Sequence, residues 1–110
     1  QVVADVVQPM PCFFDGEADT IIARHILEHA LDPVKVLQEW FRILKPIGGR
    51  LIVAMPNEDI QPCIPMDHEH KHGWNPDSFR SLAELVGFRH VASTPDCGNH
   101  VAFVSVVERP

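Results

Sequence analysis

The stretch Ala23-Arg24-His25-Ile26-Leu27-Glu28-His29 sets two imidazoles four residues apart, with a carboxylate beside the second. Histidines at that spacing can share a helical face and hold zinc, but the H-E-x-x-H pattern needs its glutamate directly after the first histidine. Here Glu28 stands directly before the second, so structural or pocket roles are predicted for His25 and His29, and no metal. A second cluster, Asp67-His68-Glu69-His70-Lys71-His72, alternates imidazoles with charged residues. On an extended strand, alternate residues point to one side, so His68, His70 and His72 could face one metal ion. The plainer reading is a solvated loop that shapes the entry to the next helix, with His72 turned toward a substrate. Imidazole titrates near neutrality, which suits general-base work, and His25 and His72 are the candidates for it.

The three cysteines, Cys12, Cys63 and Cys97, have no C-x-x-C spacing and are odd in number. They read as reduced thiols of a cytoplasmic protein rather than a disulfide framework or a zinc site. A net charge of −6 argues against nucleic-acid or anionic-membrane partners. No apolar run approaches the roughly 20 residues needed to span a bilayer, and no secretory leader opens the chain. The first residue is Gln1 rather than methionine, as expected of a processed product, a trimmed chain or an incomplete reading frame.

The elements that must position these residues are marked by ten prolines and six glycines. Residues 1–7 suit a short strand, and the segment to residue 19 is a loop turning at Asp15-Gly16. Thr20 to Ala23 is a short apolar run, read as a buried strand. Asp32 can cap a helix with Pro33 in its first turn. Val34, Val36, Leu37, Trp40, Phe41, Ile43 and Leu44 give that helix a wide apolar face, fit to lie on a sheet. Pro46 and Gly48-Gly49 end it, and Arg50 to Met55 is the next buried strand. Residues 56–74 form a proline- and histidine-rich loop of the long kind that is usually functional. Asn75-Pro76 opens a helix closed by Gly87, and two strands joined by Pro-Asp-Cys-Gly-Asn make a hairpin over 88–108. Trp40 and Trp74 are packing residues. One domain, 1–110, is expected, with crossovers that pair the earlier strands in parallel.

These pieces resemble a family. Asp5, Pro11 with Phe13 or Phe14, Asp15-Gly16, Asp19 opening a strand, Glu28-His29, Leu44-Lys45-Pro46 and Gly48-Gly49 follow the order of the central and later motifs of class I S-adenosylmethionine-dependent methyltransferases, type 11. The stretch from His72 to Phe88 is similar to the helix after that family's fifth strand. Ile47 lengthens the Lys-Pro-Gly-Gly turn by one residue. No G-x-G occurs among the six glycines, so the chain looks like the later portion of the fold, beginning at its third strand. The resemblance implies an α/β, Rossmann-like methyltransferase fold, truncated, with a mainly parallel sheet and a C-terminal antiparallel hairpin whose last strand inserts beside the 50–55 strand. It implies S-adenosylmethionine as cofactor, held weakly or not at all by this chain alone, and a small-molecule acceptor. Asp5 would accept from the adenine amino group with the Val6 backbone beside it. Ala23, Arg24 and His25 would face the methionine portion and the substrate.

A different class of reading is a non-catalytic remnant serving as a binding or oligomerisation module, and a further one is a metal-binding module built on the histidine loop. With the family's first strand missing beside it, the 20–24 strand is expected to present Ile21 and Ile22 on an open edge. Either residues 1–7 fold back into that slot or two chains join there; a homodimer is the expectation.

Overall fold

The computed structural model describes residues 2–4, 14–57, 74–96 and 99–110. Asp5, Val6, the three cysteines and the cluster His68, His70, His72 lie outside them. The elements are β1 (Val2–Ala4), β2 (Thr20–Arg24), a single 3-10 turn (Leu27–His29), α1 (Pro33–Ile43), β3 (Arg50–Pro56), α2 (Pro76–Val86), β4 (Arg89–Asp96) and β5 (Asn99–Glu108). One five-stranded sheet runs in the order β1-β2-β3-β5-β4. It is parallel from β1 to β3 and antiparallel where β5 meets β3 and β4. The inserted antiparallel last strand is the topology expected from the resemblance.

Each helix starts where a side chain can take an unpaired first-turn N–H. Asp32 Oδ1 accepts from the Lys35 N–H at 3.1 Å, with Pro33 next to it in the first turn. On α2 the cap is reciprocal: Asn75 Oδ1 accepts from Ser78 N–H at 2.7 Å, and Ser78 Oγ accepts from Asn75 N–H at 3.0 Å. Losing such a cap costs about 1 kcal/mol. Gly87 closes α2 at φ 127°, a backbone conformation that an L side chain resists, and lets the Phe88 N–H reach Ala83 O at 3.0 Å.

α1 ends earlier than its apolar pattern suggests. Leu44 leaves the helix to bridge Ala18, with Ala18 N–H donating to Ile43 O at 2.9 Å and Lys45 N–H to Ala18 O at 2.8 Å. A partner in the loop before β2 thus captures the last turn before Pro46 can. The chain's far end completes this terminus. Arg109 donates from Nη1 to Phe41 O at 2.9 Å and Leu44 O at 2.8 Å, and its guanidinium lies 4.5 Å from the centre of the Phe41 ring.

Both helices cover one sheet face. Ile21, Leu51, Val53 and Val107 from the strands meet Leu37, Trp40 and Phe79 from the helices, all buried. Trp74 stands edge-on to Phe79, with ring centres 6.5 Å apart. Both tryptophans are therefore packing residues. Glu108, buried at the end of β5, lies between Arg89 of β4 and Arg50 of β3, which its register places on either side.

The open edge expected at Ile21 and Ile22 is not there. β1 pairs with β2 in parallel, Val2 opposite Ile21 and Ala4 opposite Ala23. The unpaired groups of β2 are met by the chain's own first strand, since residues 5–19 are long enough for the crossover that a parallel pair needs. The outer strands are β1 and β4. β4 carries Pro95 and a register shift between His90 and Ala92, features that discourage strand addition. Among the described residues no helix is long and apolar enough to cross a membrane.

Candidate functional site

In open α/β sheets the carboxyl ends of parallel strands, where the chain breaks away, form the natural crevice for a ligand. Here that place is the shared end of β2 and β3. Arg24 is in register with Ala54, and the His25 N–H then donates to Ala54 O at 2.8 Å. That bond fixes where β2 stops. His25 turns the chain with φ 54°, the left-handed region that residues other than glycine seldom occupy, though Asn, Asp and His do so more readily than most. The 3-10 turn follows at once, closed by His29 N–H to Ile26 O at 3.0 Å and Ala30 N–H to Leu27 O at 3.1 Å.

This turn buries Glu28. Its side chain is 3% exposed, and neither carboxylate oxygen has a hydrogen-bond partner among the described residues. His25 Nδ1 lies 3.5 Å from Oε2, close enough for an ion pair when the imidazole is protonated, yet no hydrogen bond forms. The His25 side chain is 40% exposed. Of the other residues singled out in the sequence, Ala23 is buried and Arg24 is exposed at this strand end. Asp5, Val6 and His72 cannot be placed beside them, being outside the described residues. Among the described residues no three histidine, cysteine or acidic side chains gather as metal ligands.

A second concavity opens at the tips of β4 and β5. It measures about 170 Å³ and is lined by Asn57, Pro76, Ser93, Thr94, Pro95 and Phe103, among others. Asn57 bridges to Trp74, which brings the start of α2 to the end of β3. Ser93 Oγ sits between His90 Nε2 at 2.9 Å and the buried Ser105 Oγ at 2.7 Å. At about 4.8 Å per strand, β5 and β4 lie roughly 10 and 14 Å from β2 across the sheet.

The shifted ionisations lie elsewhere, at the opposite end of the sheet. Lys45, hydrogen-bonded to Asp19 at 2.7 Å, holds that carboxyl below the usual range, and Asp19 raises Lys45 in return. Arg42 is raised by its hydrogen bonds to Glu39 and then Asp15. These are ion pairs around the start of β2 and the end of α1, and they mark no reactive group.

A sheet of this order, with two helices on one face and an inserted antiparallel strand, defines a Rossmann-like α/β fold of the class I methyltransferase kind. The chain belongs to the methyltransferase-domain family, whose model matches residues 1–93. It is 30% identical over 83 residues to a probable S-adenosylmethionine-dependent methyltransferase of Mycolicibacterium smegmatis, covering 73% of this chain and 31% of that one. In three dimensions it is similar to a Haloferax volcanii methyltransferase solved with the Trm112 methyltransferase activator. The TM-score is 0.78 at 18% identity, over 96% of this chain and 60% of that one. A SAM-dependent methyltransferase from Aquifex aeolicus gives 0.72 at 17% identity, over 89% and 49%. The chain thus spans about a third of the curated relative and half or somewhat more of these structures.

The family's cofactor is S-adenosylmethionine, which carries a sulfonium and an ammonium group. A buried carboxylate with no hydrogen-bond partner among the described residues, in the turn just after β2, fits a ligand so charged. In the sequence Glu28 stands out as part of a zinc pattern that does not fit and as one piece of the family resemblance, neither of which gives its burial. A one-turn helix has no periodicity from which its burial could be read.

Proposed function

We propose that this chain is the later portion of an S-adenosylmethionine-dependent methyltransferase, a single domain over 1–110, acting on a small-molecule acceptor. The observation that carries the reading is the shared carboxyl end of β2 and β3, where the His25 N–H is tied to Ala54 O and the chain turns away from the sheet. The cofactor, when bound, supplies an electrophilic methyl group, which a nucleophilic acceptor takes as the carbon–sulfur bond breaks. Ala23, Arg24 and His25 bind the methionine side of it, and Asp5 and the Val6 backbone bind the adenine. This chain's task is alignment: it holds the reactants in line and at near-attack distance. The exposed imidazole of His25, or that of His72, accepts a proton where the acceptor carries one to lose. An acceptor that is already nucleophilic needs neither.

The reading includes incompleteness. The chain has no G-x-G turn to give backbone contacts to the cofactor. Losing two or three charge-assisted hydrogen bonds of ~1.5–3 kcal/mol each weakens a micromolar site several hundredfold or more. Titration of the labelled protein with S-adenosylmethionine, followed by amide NMR, is expected to move the signals of Ala23, Arg24 and His25 at millimolar ligand only. Shifts that bypass these residues would overturn the site. A micromolar dissociation constant by calorimetry would overturn the incompleteness. A cytoplasmic setting and a homodimer joined through the outer edge of β1 complete the proposal. A 12.4 kDa particle by light scattering at high concentration would remove the dimer.

A further inference from the structure

We propose that Glu28 is the seat for an ammonium group of a small ligand. The proposal takes its location, though not its chemistry, from the methyltransferase reading. Buried carboxylates in folded proteins are paired, because desolvating a charge without replacing its hydrogen bonds is costly. Both oxygens of Glu28 lack a hydrogen-bond partner among the described residues, with only the 3.5 Å approach of His25 Nδ1 to Oε2 as an ion-pair contact. Around it the turn is apolar, with Ile26, Leu27 and Ala30 all buried. An apolar side chain of the same shape would suit those neighbours better, so the acid is not what packing asks for. Among the described residues the imidazole of His25 approaches one oxygen to 3.5 Å, and the other has no hydrogen-bond partner. The His25 side chain is 40% exposed against 3% for Glu28, so on this proposal a ligand approaches the carboxylate past the imidazole.

Two unsatisfied acceptor oxygens call for N–H donors as well as positive charge. An ammonium supplies both, whereas a sulfonium supplies only charge. The ammonium can come from the methionine end of the cofactor or from an amine acceptor. The two sources share one chemistry at Glu28 and differ in the rest of the ligand.

The test follows the side-chain carboxyl carbon signal of Glu28 in the labelled chain, assigned by its loss in Glu28→Gln. Four probes are titrated to high concentration: S-adenosylhomocysteine, 5′-methylthioadenosine, phenethylamine as its ammonium salt, and phenethyl alcohol. The ammonium-bearing member of a pair is expected to shift the Glu28 signal while its uncharged counterpart does not. Glu28→Gln is expected to weaken the responding probe about tenfold or more, and to leave the counterparts unchanged. Response to S-adenosylhomocysteine assigns the seat to the cofactor; response to the amine alone assigns it to the acceptor. If neither ammonium compound moves the Glu28 signal, the proposal falls. Should S-adenosylhomocysteine shift the Ala23 to His25 amides and not Glu28, the methyltransferase reading stands without it. A structural carboxylate would give one further result. Glu28→Gln and Glu28→Met would then lower the melting temperature by several degrees, whereas a seat kept for a ligand leaves it unchanged or raised. If Glu28→Gln does not fold, the structural role is favoured and the proposal is overturned.

Discussion

Replacing Arg109 by alanine tests how the end of α1 is held. Nη1 donates to the carbonyl of Phe41 in the last turn and to that of Leu44 just beyond it, at 2.9 and 2.8 Å, with a longer contact of 3.5 Å to Arg42 O. The last carbonyls of a helix have no partner within it, and a cation there also meets the negative end of the helix dipole. The residue is partly exposed, so each bond is worth about 1 kcal/mol rather than the full value of a buried charged one. Stacking on Phe41 adds roughly 0.5–1 kcal/mol. The contributions overlap, and the net loss expected for Arg109→Ala is about 2–3 kcal/mol. For a chain of this length that is a fall in melting temperature of roughly 10 °C. Urea unfolding should show the lower midpoint with an unchanged slope. Arg109→Met keeps a chain over the Phe41 ring while removing the donors, and should lie between. As a control, Arg80→Ala removes only an exposed pair with Glu84 on α2 and should cost under about 0.5 kcal/mol. If Arg109→Ala proves as mild as Arg80→Ala, the carbonyls are served by water and the reasoning is wrong.

Gly49→Ala should be the more damaging of the two glycine changes after α1. A Cβ there would lie 2.5 Å from Lys45 O and 2.8 Å from Lys45 N, which are backbone atoms that cannot swing aside, so a loss above about 2 kcal/mol in urea unfolding is expected. Gly48→Ala meets open space but keeps a φ of 106°, for a strain of roughly 1–2 kcal/mol. Because the Asp19 carboxyl is held below its usual range in the folded protein, its pairing with Lys45 stabilises the fold above the unfolded carboxyl's titration. That contribution fades as the pH falls through the folded value. Asp19→Asn should therefore lower the urea midpoint above that titration and flatten part of its decline on the acid side. High salt should mimic the substitution, since the pair is exposed.

Much of this architecture could be read from local chemistry. Asp32-Pro33, Asn75-Pro76 and Gly87 act within a single turn of chain, so capping and termination follow from residue type alone. The hairpin and the buried β3 were likewise plain from composition and period. What escaped involves residues far apart in sequence. Leu44 leaves its helix for Ala18, and Arg109 caps a helix 65 residues before it. The concavity at the tips of β4 and β5 is assembled from four separate segments, none distinctive alone. β1 was legible as a strand and the slot beside β2 was one of two places expected for it, but three residues of strand carry too little pattern to decide between that slot and a second chain. At the candidate site the strand end and His25 were foreseen. The left-handed turn at His25 and the burial of Glu28 were not, because both arise from how β2 stops against Ala54.

The position of β5 has a consequence for the order of assembly. The last strand to emerge in the sequence lies inside the sheet, joining β3 to β4 along its length. Until it is in place, β4 has no strand to pair with, and the edge of β3 stands open. Glu108 draws Arg50 and Arg89 together only after both of their strands have docked. Folding of this sheet cannot then follow the order of its strands in sequence. The β1-β2-β3 side can form early, held by α1. The remainder closes in one late step, in which β5 enters as a hairpin with β4 and Arg109 locks the end of a helix already formed.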